Sequence, residues 1–250
     1  MPPSTITVAA IQLSSQDDIA ANLEQCRHWV ERAARAGAQL VVLPENFAYF
    51  GPDAQRTRAA EPLEPSREGA AAPIQSALSR WAREFGVTVV GGGMPTRSPD
   101  PERPYNTCVV FSAEGRLVAH YHKVHLFDVS LSDGTSLCES TRTMPGSELS
   151  AVGVGGFQVG LSICYDVRFP ELYRGLVDKG SEVLLVPAAF TLHTGKDHWA
   201  ALLRARAIES QCWVVAAGQF GSHPQGRRCY GHSMIIDPWG AVVAQCPDRV

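Results

Sequence analysis
Three side chains with the chemistry of a thiol hydrolase stand in or beside apolar, strand-like runs. Cys164 follows FQVGLSI and opens CYDVRFPE, where Pro170 suits the first turn of a helix. Glu45, with Asn46 behind it, follows QLVVLP. Lys123 lies within LVAHYHKVHLF, where its apolar and aromatic neighbours leave a lysine in need of a charged partner. A thiol attacks carbonyl carbon once a base or a cation favours its anion. Near a helix N-terminus its pKa is expected to fall below the usual value of about 8.5. Each residue also has a plainer reading. Cys164 reads as a core thiol, Glu45 as a solvated carboxylate opening a loop, and Lys123 as an exposed strand lysine.

The other cysteines and the histidines offer weaker chemistry. Cys26, Cys108, Cys212 and Cys246 fall within apolar helix or strand patterns and read as core. Cys138 and Cys229 read as loop residues. His120, His122 and His125 form HxHxxH, which resembles a zinc-ligand spacing. Strand alternation puts His120 and His122 on one face and Lys123 and His125 on the other, so no metal site is expected. A Cys–His hydrolase would have to draw on His193 or His232, and nothing in the sequence marks either.

These residues need strands to carry them and helices to bury the strands. Strand patterns cover residues 6–13, 39–44, 87–92, 157–163, 182–187 and 212–218, and helical periodicity covers 20–36, 74–85, 171–180 and 197–210. Hairpins are expected at 106–127, turning at Glu114–Gly115, and at 232–246, turning at Pro238–Gly240. Residues 51–72, 97–104 and 222–228 read as surface loops. The two halves echo one another in element order, which suggests an α/β domain spanning residues 1–250.

Composition narrows the field. The 250 residues are 45% hydrophobic and 19% charged, enough apolar content for a large core. Net charge is -3 and no basic stripe is present, which argues against nucleic acid and anionic membranes. No apolar run approaches the roughly 20 residues that span a bilayer. The start, MPPSTITVAAIQLSS, lacks a basic leader region and reads as a first strand rather than a signal peptide. Seven cysteines without a CxxC pair suit reduced thiols in a cytoplasm.

In this order and spacing, LPENF, YHKVHLFD and ICYDVRFPE resemble the nitrilase superfamily of carbon–nitrogen hydrolases. The likeness runs from Ile6 to Cys246. GHSMIIDPWG, HWAALLRARAIESQCWVVAAGQ and LCESTRTMPG resemble most the amidase branch acting on deaminated glutathione, with the ω-amidase branch close behind. The resemblance implies a four-layer αββα sandwich, paired as a homodimer or higher homo-oligomer. It also implies a further strand pair and helix past the DPWG hairpin; the sequence stops at Val250, so that tail is either truncated or lies outside it.

Carried over by motif, Glu45 is the general base, Lys123 the catalytic lysine and Cys164 the nucleophile. Glu139, in CES, matches a second glutamate that supports the lysine. Tyr165 is expected to lend its backbone N–H to the oxyanion. Arg168 matches a position that binds a substrate carboxylate in some relatives, and reads equally as a partner for Asp166 or Glu171. Asn46, Tyr49, Phe190 and Thr191 are the remaining candidates for substrate contact. No metal or organic cofactor is implied. The expected reaction is hydrolysis of a small carboxylated amide through a thioester. Other readings are an ω-amidase acting on 2-oxoglutaramate or 2-oxosuccinamate, an N-carbamoyl hydrolase or nitrilase, and a non-catalytic binding scaffold.

Overall fold
The computed structural model describes residues 5–63, 72–130 and 136–250. The first half runs β1 (Val8–Ala10), α1 (Ile19–Arg35), β2 (Leu40–Val42), a short α2 (Asp53–Arg56), α3 (Pro73–Phe85), β3 (Thr88–Thr96), β4 (Tyr105–Phe111) and β5 (Leu117–His122). A ribbon of β6 (Asp128–Ser130) and β7 (Ser136–Cys138) follows. The second half runs β8 (Ala151–Val154), β9 (Phe157–Leu161), α4 (Pro170–Asp178), β10 (Val183–Leu185), α5 (Leu192–Ser210), β11 (Trp213–Ala216), β12 (Phe220–Ser222), β13 (Arg228–Tyr230), β14 (Met234–Ile236) and β15 (Val242–Gln245).

The first half forms a five-stranded sheet in the order β1-β2-β3-β4-β5, parallel up to β3 and antiparallel beyond it. The second forms a six-stranded sheet in the order β15-β14-β11-β10-β9-β8, parallel only across β9, β10 and β11. Side-chain alternation along a strand decides what each face buries. Val41, Val89 and Val109 pack with Cys26 and Val30 of α1 and Ile74, Leu78 and Trp81 of α3. Their neighbours Leu40, Val42, Val90, Cys108 and Val110 pack instead with Val159, Leu161, Val183 and Leu185 of the other sheet. That second cluster also takes in Leu172, Tyr173 and Leu176 of α4 and Trp199 and Leu203 of α5. Helices therefore flank two sheets packed face to face, which is the four-layer αββα sandwich.

Several elements differ from what local sequence predicts. The strand expected at 6–13 stops at Ala10, because the chain changes sheets. Ile11 still donates to Val42 O at 2.9 Å, whereas Leu13 donates to Gly218 O at 3.3 Å. The last helix starts at Leu192, a turn earlier than its apolar period, because Thr191 Oγ1 accepts from Thr194 N. The strand expected at 87–92 continues to Thr96 through a register shift between Gly91 and Met94. Lys123 lies one residue beyond β5, and its N–H prolongs the ladder by donating to Asn106 O at 2.9 Å. The loop expected at 51–72 contains α2, and its residues 64–71 lie outside the described residues. Strands β6, β7, β8, β12 and β13 are too short to leave a readable period. Among the described residues no helix is long and apolar enough to cross a membrane.

The two halves touch at Gly92. A Cβ there would press on the carbonyl of Leu43 and on the ring of Pro187, the residues that lead out of β2 and β10. Neither can retreat without moving the loop that follows it. Gly92→Ala should destabilise the fold by about 1–3 kcal/mol, read as a lower melting temperature in calorimetry. An unchanged melting temperature would show that the strand ends are not in contact.

Candidate active site
Two left-handed backbone turns place Glu45 and Cys164. Leaving β2 through Pro44, the chain turns at Asn46, whose φ of 60° is a left-handed conformation that asparagine tolerates. Its N–H donates to Gly93 O at 2.9 Å, which fixes Glu45 over the middle of β3. Cys164 opens a 3-10 turn, Cys164–Arg168, directly after the run that contains β9. It too is left-handed, with φ 50°, and its N–H donates to Pro187 O at 2.9 Å. Such a backbone costs on the order of 1–3 kcal/mol in a residue with a side chain and concentrates at functional sites.

The side chains form one connected, nearly dry cluster. Lys123 Nζ donates to Glu45 Oε1 at 3.0 Å and to Glu139 Oε2 at 2.8 Å. The Cys164 thiol stands beside Glu45, close enough for each to shift the other's titration. Glu45 Oε2 accepts from Ala189 N at 2.8 Å. Exposure is 2% for Lys123, 4% for Glu45 and 8% for Cys164, so these charges interact with little solvent screening. Glu139 is held in turn by Phe127 N at 2.8 Å.

Burial alone would neutralise Glu45, Lys123 and Cys164, and for Glu45 and Lys123 the charges nearby oppose it. For Glu45, burial pushes the pKa up, but the Lys123 charge and the neighbouring thiol outweigh it and leave the carboxylate lowered. For Lys123, burial pushes down, but Glu139 and Glu45 hold the ammonium well above the usual lysine range. Cys164 goes the other way from the sequence expectation. Burial and the Glu45 charge push its thiol well up, and the opposing pull of Lys123 is too small to reverse them. Two carboxylates facing one ammonium already leave excess negative charge, so a resting thiolate is disfavoured. The arrangement is suited to a thiol that gives its proton to Glu45 only when an electrophile arrives.

Residues 7–250 match the model of the carbon-nitrogen hydrolase family. The chain belongs to that family. It is 43% identical over 244 residues to the deaminated glutathione amidase of Synechocystis sp., covering 96% of this chain and 87% of that one. Among solved structures, Saccharomyces cerevisiae Nit3, a member of branch 10 of the nitrilase superfamily, superposes with TM-score 0.85 at 33% identity, covering 97% and 86% of the two chains. A mutant amidase from Nesterenkonia sp., showing Michael addition of acrylamide at its active site cysteine, has TM-score 0.80 and 25% identity, covering 97% and 89%.

Within this carbon–nitrogen hydrolase, the other candidates divide. Tyr165 and Phe190 flank Arg168, whose guanidinium carbon lies 5.7 Å and 5.4 Å from their ring centres. Arg168 Nη2 donates to His198 Nδ1 at 3.2 Å. Asp166 is not its partner. That buried carboxylate accepts from Ile163 N, Tyr121 Oη, His125 N and His125 Nδ1 at 2.8–3.0 Å. It thereby ties the cysteine turn to the segment after Lys123. Thr191 is engaged as the α5 cap, and Asn46 Oδ1 accepts from Arg56 Nη1 at 2.9 Å. The Tyr49 hydroxyl donates to Pro52 O at 2.9 Å, and none of its hydrogen bonds reaches the cluster.

The histidines have separate partners: His122 Nδ1 lies 2.8 Å from Thr107 Oγ1 and His125 faces Asp166. His232 Nε2 faces Asp248 at 3.2 Å, and the side chain engaged with Cys164 is Glu45. Cys138 and Cys229 lie in strands rather than loops, the latter buried, and Cys246 is only half-buried. Sequence reasoning missed Asn106, whose Nδ2 donates to Glu45 Oε1 at 2.8 Å and to Glu139 Oε1 at 3.4 Å. It also missed the Ala189 N–H. A buried-strand asparagine in YNTCVVF was the available signal for the first; a backbone donor leaves none.

Because the Glu45 charge adds to burial in holding the thiol up, Glu45→Gln should lower the pH midpoint for alkylation of Cys164 by iodoacetamide by about one unit or more. Peptide mass mapping across a pH series reads this out, and a midpoint that stays or rises would contradict the coupling.

Proposed function
We propose that this carbon–nitrogen hydrolase is a thiol amidase whose substrate is deaminated glutathione, cleaved to 2-oxoglutarate and cysteinylglycine. The observation that carries the reading is Lys123 Nζ gripped between Glu45 and Glu139 with the Cys164 thiol beside Glu45. The relative from Synechocystis sp. supports the choice of substrate.

The geometry supports the following sequence. The Cys164 thiol passes its proton to Glu45 as sulfur bonds to the amide carbon, and the carbonyl electrons move onto oxygen. Lys123 and the Tyr165 N–H stabilise that oxyanion, where losing one donor costs about 3 kcal/mol in the barrier. Glu45 returns the proton to the amine, which leaves, and a thioester remains. Water, deprotonated by Glu45, then attacks the thioester and releases the acid and the thiol. Glu139 keeps Lys123 charged and oriented throughout. Arg168, between Tyr165 and Phe190, is a receptor for a substrate carboxylate.

We also propose a second copy of the chain as partner. Support comes from the exposed apolar side chains around the last hairpin: Trp239 at 88%, Val243 at 54% and Ile208 at 51%. Seven unpaired cysteines support a reducing compartment such as the cytoplasm.

Mass spectrometry of the protein mixed with deaminated glutathione should show a thioester on Cys164 that Cys164→Ala lacks. Equal inertness of both proteins toward a broad amide panel would favour a scaffold. Preference for 2-oxoglutaramate would move the reading to an ω-amidase. Arg168→Ala should raise KM for the carboxylated amide about 10- to 100-fold, while a neutral amide of similar size is little affected. Equal losses on both amides would remove Arg168 from carboxylate recognition.

A further inference from the structure
Glu45 has two oxygens, and the surrounding donors treat them differently. Oε1 accepts from Lys123 Nζ at 3.0 Å and from Asn106 Nδ2 at 2.8 Å. Oε2 accepts from Ala189 N at 2.8 Å. Oε1 is thus filled by two donors, while Oε2 has one and keeps room for a proton.

Asn106 is 1% exposed and lies in β4. Its backbone carbonyl accepts from Lys123 N at 2.9 Å, and its amide also reaches Glu139 Oε1 at 3.4 Å. A flipped amide would turn its oxygen toward both carboxylates, so the acceptors fix its orientation. Gly93 leaves the space for this: a Cβ there would stand 2.9 Å from Asn106 Oδ1 and 3.1 Å from Glu45 Cγ.

We infer that Asn106 is a positioning residue for the general base: by occupying Glu45 Oε1 it directs the shuttled proton to Oε2, the oxygen with a single donor. Without Asn106, Oε1 keeps only the lysine, and the carboxylate is free to rotate or to take its proton on the wrong side. The ionised form also loses a donor. The inference rests on the amidase reading and adds a residue to it.

The test uses Asn106→Leu, near in volume and without donors, and Asn106→Ser, whose cavity admits a water. The readouts are kcat, KM and the pH profile of kcat/KM on deaminated glutathione, with thermal unfolding alongside. The groups facing Glu45 are Lys123, Glu139, Cys164 and the Ala189 N–H. The limb on the acid side reports its ionisation. Asn106→Leu should lower kcat about 10- to 100-fold with KM little changed. Its acid limb should move to higher pH, since an N–H donor stabilises the carboxylate and its loss raises the pKa. Asn106→Ser should fall between the two. If Asn106→Leu does not fold, Asn106→Ser decides alone by the same two signs. Wild-type kcat, or a lower kcat with an unmoved limb, would overturn the inference. Wild-type protein that forms no thioester on Cys164 would instead overturn the amidase reading itself.

Discussion
An ammonium pinned between two carboxylates in a nearly dry cavity is the interaction on which the rest of this site depends. Two carboxylates brought together without it would repel one another, and burial would drive Glu45 to take up a proton. With Lys123 in place, Glu45 stays ionised despite 4% exposure, and is ready to accept a proton from the thiol beside it. Burial, with the same negative charge added to it, keeps Cys164 protonated at rest. A reactive sulfur is thus held back until a substrate arrives, which suits a fold with several other thiols in its core.

Holding that cluster demands rigidity from segments far apart in the chain. Glu45 comes from the end of the first sheet's β2, Lys123 from just beyond β5, and Cys164 from the turn after β9 in the second sheet. Face-to-face packing of the two sheets is what joins them. The cross-links are short: Ala189 N to Glu45 Oε2 at 2.8 Å and Gln219 Nε2 to Glu45 O at 3.0 Å. Backbone donors suit this task because they cannot change rotamer. Asp166 performs a related service, joining the cysteine turn to the segment after Lys123 through four accepted hydrogen bonds.

Sequence patterning revealed the long elements and misplaced the short ones for a common reason. Helices α1 and α3 have strong apolar periods and clear stops at Gly37 and Gly86, so their limits are local properties. The strand after Thr5 was overextended because its alternation continues while its partner changes from Val42 to Gly218, a fact of packing alone. Tyr49 shows the same gap at the site. An aromatic near Glu45 suggests substrate contact, yet the hydroxyl is spent on Pro52.

The sequence by itself determined the chemical types: a thiol after one apolar run, a carboxylate after another, a lysine among aromatics, and a glutamate in CES. Those identities, with the family motifs around them, are properties of local stretches. What only the tertiary structure decided is how they act on one another. The direction of the Cys164 shift follows from burial and from a carboxylate more than a hundred residues earlier in the chain. The choice between the oxygens of Glu45 follows from Asn106 and Ala189, which no spacing rule connects to it. Electrostatic energies depend on distance and on excluded water, and both are set by the packed fold rather than by the order of residues.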